Sequence, residues 1–171
     1  MQAWNSYYEM IGGAAATLLG LLFVSVSVNA GRILGAGHQH SKRLAEQAFQ
    51  NYLVVLAISL VGLFPDMSEA SFGDVIIAMT VAWGAWILVR IYLALASKSL
   101  REARIRTFRR YLASLIGFGM LVYSGVWMTL GATQFRNSIA IALMLLLLSA
   151  TTVSWELLVS IAGEQQSPSG K

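Results

Sequence analysis

Cysteine is absent from this 171-residue chain, proline occurs only at Pro65 and Pro168, and charged residues make up just 12% of it. The first absence excludes disulfides, thiolate metal sites and cysteine nucleophiles. The second means that no apolar stretch is interrupted by proline, whereas many carriers bind their cargo where spanning helices are broken by Gly or Pro. The third lies far below the roughly one quarter charged residues of soluble domains. Histidine is nearly absent as well. His38 and His40 sit two residues apart in a loop, where they supply only part of a metal's coordination shell, and a solvated loop is the simpler reading. No apolar stretch holds a histidine to serve as a base, and no phosphate loop, HExxH, nucleophile elbow or dinucleotide fingerprint occurs. The expectation is a protein without catalytic residues, cofactor or metal, and not an enzyme.

What the chain has instead is apolar length. Hydrophobic residues make up 57%, and the mean hydropathy is +0.65. Five runs, at about 11–30, 48–64, 75–96, 112–130 and 138–162, each approach the ~20 residues that cross ~30 Å of hydrocarbon. They leave no room for a separate soluble domain. The expectation is an all-α membrane protein, one integral-membrane bundle of five transmembrane helices over residues 1–171. The first run is preceded by Glu9 and no basic side chain, so it reads as a retained helix rather than a signal peptide.

The connecting loops alternate in charge. The first holds Arg32, Lys42 and Arg43, and the third holds Lys98, Arg101, Arg104, Arg106, Arg109 and Arg110. The second carries Asp66, Glu69 and Asp74 but no base, and the fourth only Arg136. Nine basic residues against one predicts the N-terminus outside and the C-terminus cytoplasmic. The net charge of +4 then marks contact with anionic lipid headgroups at the cytoplasmic face, not nucleic acid. The pattern of Arg101–Thr107 suits a helical extension. Trp4, Tyr7 and Tyr8 precede the first run where an outer aromatic belt belongs, while Tyr92, Tyr111 and Trp155 suit the inner one. Asp66, Glu69 and Asp74 would be solvated at the outer end or gather cations there, with Asp74 at the start of the third helix.

Helices in lipid associate by close packing and interhelical hydrogen bonds, so small residues mark contact faces. Gly12, Ala16 and Gly20 recur every fourth residue in the first run, and Gly117, Ser124 and Gly131 every seventh in the fourth. Intrachain packing is the plainer use of such faces, a subunit interface the sharper one. Ser25, Ser27 and Asn29 end the first run, and Thr151, Thr152 and Ser154 occupy the inner half of the fifth, where Ser149 also lies. These compose a candidate polar layer, although such hydroxyls commonly bond the carbonyl one turn back. The outer half of the fifth run reads as lipid-facing and the inner half as buried.

Ionisable groups at membrane depth are costly and so draw attention. Arg90 and Glu156 are the two, each about six residues from the cytoplasmic end of its run, which at ~1.5 Å per residue is one common depth of roughly 9 Å. They form a candidate intramembrane ion pair, either fixing two helices together or acting in coupling, with snorkelling of Arg90 as a further option.

The segments 12–27 (GGAAATLLGLLFVSVS) and 154–159 (SWELLV) resemble a family of small bacterial multi-pass inner-membrane proteins without an assigned activity. That resemblance implies a bacterial plasma-membrane location and transfers no catalytic residue. The function expected is that of an accessory, scaffold or modulator subunit, found as a homo-oligomer or within a larger membrane complex. The alternative is a small channel whose pore forms by self-association and is lined by Ser27, Asn29 or Glu156.

Overall fold

Long unbroken helices are what an apolar chain with two prolines can form in lipid, because the helix satisfies its backbone polar groups internally. The computed structural model describes residues 2–33, 39–65, 67–96, 101–132 and 135–166, and all secondary structure among them is helical. Five long helices, α1 (Gln2–Val28), α3 (Gln39–Gly62), α4 (Glu69–Ala96), α5 (Arg101–Thr129) and α6 (Arg136–Gln166), are joined by one single-turn helix, α2 (Ala30–Ile33). Among the described residues three stretches, Trp4–Val28, Ser41–Gly62 and Arg136–Ala162, are long and apolar enough to cross a membrane, and Ser114–Thr129 is a shorter apolar stretch.

The helices outrun the apolar stretches because hydropathy marks only the part that lipid accepts, while backbone hydrogen bonding continues through polar sequence. Thus α5 begins at Arg101, making 101–107 helical as expected, and α3 begins at Gln39. Local chemistry sets several ends. Asn29 donates from Nδ2 to the Ser25 carbonyl at 3.0 Å where α1 gives way to α2. Ser68 caps α4, its Oγ accepting from the Ser71 amide at 3.1 Å. Asp74 therefore lies beyond the first turn of α4 rather than at its start. At the end of α5 the amides of Gly131 and Ala132 donate to the Met128 and Trp127 carbonyls, both at 2.9 Å. This Schellman closure needs the left-handed backbone that Gly131 adopts at φ 89°.

Successive helices alternate in direction, α1, α4 and α6 opposing α3 and α5. Side by side the order is α4, α5, α6, α3, α1, with lesser contacts of α1 to α6 and α3 to α4. Two apolar clusters fill the interior. The first gathers Tyr8, Ile11, Val55, Ile58, Ile76, Leu121, Met128, Ile139 and Leu143 towards the N-terminal end of α1. The second gathers Leu22, Ile33, Leu44, Tyr52, Val153, Leu157 and Ile161 towards the other end. Outside, Leu21, Phe23, Val81, Ile116, Ile141, Met144 and Leu148 are exposed, as suits a surface bathed in hydrocarbon.

Candidate functional site

Buried positions along α3 recur every three or four residues: Ser41, Leu44, Ala48, Asn51, Val55 and Ile58. That spacing presents one helical face to the bundle interior. The same logic turns Ser114, Leu121 and Ser124 of α5 inward, together with Leu146, Ser149 and Val153 of α6. Where the three faces meet, Asn51 Nδ2 donates to Ser114 Oγ at 2.9 Å, and Ser114 Oγ lies 3.2 Å from Ser149 Oγ. Nearby the Tyr52 hydroxyl donates to Thr151 Oγ1 at 3.3 Å, and Ser154 Oγ donates to the Tyr52 oxygen at 3.4 Å. These bonds tie α3 to α5 and α6, and those of Asn51, Ser114 and Ser149 run through groups buried from water. Polar atoms so placed cost free energy unless paired, which makes the junction a determinant of helix register. Among the described residues Asn51 Oδ1 and the hydroxyls of Ser124, Thr80 and Tyr8 lack a hydrogen-bond partner.

The candidate polar layer divides. Thr151 and Ser154 join this junction, whereas Thr152 bonds the Ser149 carbonyl at 2.8 Å. Thr151 also donates to the Leu147 carbonyl at 2.9 Å. Ser25 serves Asn29 through its carbonyl, and Ser27 is exposed on α1. No hydrogen bond among the described side chains joins this part of α1 to the α6 hydroxyls. The inner half of α6 is not wholly buried. Thr151, Thr152, Trp155, Leu158 and Val159 continue an exposed stripe begun by Ile141, Met144 and Leu148, since α3 and α5 cover only part of the helix circumference.

The small-residue positions also part ways. A Cβ on Gly12 would stand 2.9 Å from Ser59 Cβ, and one on Gly117 would stand 2.8 Å from Leu146 Cδ2. Both glycines therefore mark close helix approaches, to α3 and α6 respectively. Ser124 is fully buried on α5. Ala16 and Gly20 are exposed, and Gly13 and Gly20 have nothing within 4 Å of an added Cβ. Gly131 closes α5 and likewise has open space around it. Spacing on one helix identifies residues that share a face without saying which way that face turns. α1 turns Tyr8, Ile11, Gly12, Ala15 and Leu22 inward and leaves Gly13, Ala16, Thr17, Gly20, Val24 and Ser27 outside.

A close approach of two backbones was not singled out by the sequence. A Cβ on Gly73 would lie 2.8 Å from the Gly125 carbonyl oxygen and 3.0 Å from the Thr129 amide nitrogen, so α4 and α5 meet backbone to backbone. Thr129 Oγ1 donates to Asp74 Oδ1 at 3.0 Å beside this contact. Gly62 gives way to the Tyr8 ring, whose Cδ2 lies 2.8 Å from an added Cβ.

Glu69 and Arg136, which begin α4 and α6, form a two-point ion pair. Arg136 Nε donates to Glu69 Oε2 at 3.0 Å, and its Nη2 reaches Oε1. The two groups come from the second and fourth loops, which the alternating topology brings to one end. Around them Tyr7 donates to the Ala140 carbonyl at 2.8 Å, and Tyr8 stacks edge-on against Phe72 at 5.9 Å. Trp4, Tyr7 and Tyr8 pack against one another at this end of the bundle.

Glu156 is exposed on α6 beside Trp155. The backbone of Arg90 belongs to α4, but its side chain lies outside the described residues, as do Asp66, His38 and the side chains of residues 101–111. The pairing of Arg90 with Glu156 is therefore untouched by these observations. Among the described residues no three His, Cys, Asp or Glu side chains gather as a metal site would require. No family model matches the chain, and neither the curated proteins nor the solved structures include a significant match.

Proposed function

We propose that this chain is a non-enzymatic subunit of a bacterial plasma-membrane assembly, spanning the bilayer five times with its N-terminus outside and its C-terminus in the cytoplasm. It works by offering an open face of α1 to a helix of a larger membrane protein. The observation that carries this reading is the contrast along α1. Its inward face packs on α3, Gly12 against Ser59 and Tyr8 against Gly62, whereas Gly13, Ala16, Thr17 and Gly20 form an outward groove with open space at both glycines. In lipid, where apolar burial gives no net drive, shallow grooves that admit another backbone are the surfaces that gain most from contact. The orientation is supported by the nine basic residues of the first and third loops, against Arg136 alone in the second and fourth.

Purification in mild detergent with mass measurement tests the proposal. The expected result is a stoichiometric complex with a second, larger membrane protein. A chain that is stably monomeric under conditions preserving other membrane complexes would contradict it. A second reading, a pore formed by identical copies, draws support from Thr151, Thr152 and Glu156, which lie on the outside of α6. Only contact between copies would enclose them. That reading predicts a ring of identical chains with ion flux in liposomes.

A further inference from the structure

Away from the open face of α1, α5 and α6 expose an aromatic cluster that the proposed function does not use. Tyr123 is 55% exposed and Trp127 41% exposed. Trp127 stacks on Phe135 with centroids 5.6 Å apart, and Tyr123 stands edge-on to both rings, 6.3 Å from Trp127 and 5.6 Å from Phe135. Two exposed rings, Tyr123 and Trp127, backed by the half-buried Phe135 would be an aggregation hazard in water. At a membrane boundary they are at home, their apolar faces in acyl chain and their polar tips towards headgroups.

The register of the bundle says which boundary. Gly117 lies against Leu146 and Ser114 against Ser149, which brings Trp127 level with Arg136 at the start of α6. Trp155, 69% exposed, lies on the same helix. The separation from residue 136 to residue 155 corresponds to roughly 28 Å of helix, close to the ~30 Å thickness of the hydrocarbon core. Between these levels the exposed side chains of α6 are Ile141, Met144 and Leu148, broken only by Asn137, Thr151 and Thr152. On α6 itself, charges begin at or beyond them. Glu69 and Arg136 pair at the first level, and Glu156 adjoins the second. Tyr52 packs on Thr151 and Ser154, so Phe49 of α3 comes level with Trp155, and Glu46, Arg43 and Lys42 follow beyond.

We infer that Tyr123, Trp127 and Phe135 form an anchor for the headgroup–acyl boundary of one leaflet, with Trp155 as its counterpart in the other. The α5–α6 side of the bundle is thereby its lipid-facing side. This rests on the membrane reading above and adds where each boundary falls and which face meets lipid.

The test uses the full chain reconstituted in phosphatidylcholine–phosphatidylglycerol vesicles, in three single-tryptophan variants retaining Trp127, Trp155 or Trp83, the others changed to Phe. Trp83 is half-buried in α4 near mid-depth by the same register. Quenching by lipids brominated near the headgroup is compared with quenching by lipids brominated near the chain end. The shallow label is expected to quench Trp127 and Trp155 more strongly, with the order reversed for Trp83. Trp127 quenched best by the deep label, or by neither while Trp83 responds, would overturn the anchor and leave the membrane reading standing. Absence of quenching in all three would overturn both. Comparison of the native chain with the single substitution W127F gives the same contrast by difference, independently of whether the quadruply substituted single-tryptophan variants fold.

Discussion

Replacing Gly73 by Ala should destabilise the bundle, while the same change at Gly20 should not. An added Cβ at Gly73 meets the Gly125 carbonyl oxygen at 2.8 Å, the Thr129 hydroxyl at 2.9 Å and the Thr129 amide nitrogen at 3.0 Å. Two of those atoms are backbone and cannot rotate away, so α4 and α5 must separate to recover a normal contact of ~3.5 Å. Overpacking of this kind costs about 1–3 kcal/mol, against about 1 kcal/mol gained by Ala over Gly in helix propensity. The net expectation for Gly73→Ala is a loss of about 0–2 kcal/mol. At Gly20 no atom lies within 4 Å, so only the propensity gain of up to ~1 kcal/mol applies. Titration of detergent-solubilised protein with sodium dodecyl sulfate, followed by helical circular dichroism, gives both midpoints. The reasoning fails if Gly73→Ala is as stable as Gly20→Ala or more so.

Three further outcomes are expected. A double-mutant cycle between Asn51→Ala and Ser114→Ala should return a coupling of about 0.6 kcal/mol, and no more than ~1.7, the range for interhelical hydrogen bonds in membranes; zero coupling would remove the junction as a tie between α3 and α5. Glu69→Gln and Arg136→Gln should each cost no more than about 1 kcal/mol, because the pair is partly exposed, with a penalty that shrinks at high salt. The charge-exchanged chain should regain most of the loss in the same detergent titration. Gly131→Ala should lower stability by about 1–2 kcal/mol through its left-handed backbone, with Gly131→Asn milder; equal stability of all three chains would mean that α5 closes differently.

Apolar runs made the number and rough location of the long helices legible, because a segment immersed in hydrocarbon must be both apolar and helical. Their ends were less legible. Residues 101–111 are helical although six of the eleven are charged, and nothing in a hydropathy profile registers that. The buried junction escaped because Asn51 lies near the expected start of the second span, where a polar residue reads as an end rather than an interior. Glycine spacing found Gly12 and Gly117 but passed over Gly73 and Gly125, whose partners are each other. Such a contact depends on which helices become neighbours, and no single helix encodes that. The outward turn of Ala16 and Gly20 has the same origin: a small-residue face is legible on α1, but its direction is decided by where α3 lies.

Photo-crosslinking in native membranes tests the central claim most directly, with a photoreactive side chain placed at Gly20, at Met144 or at Gly12. Gly20 should give one product of fixed mass with a second membrane protein. Met144, exposed on the lipid side, should give lipid adducts, and Gly12, packed on Ser59, only links within the chain. Lipid adducts alone at Gly20, indistinguishable from those at Met144, would contradict the account of α1 as the face through which this protein acts.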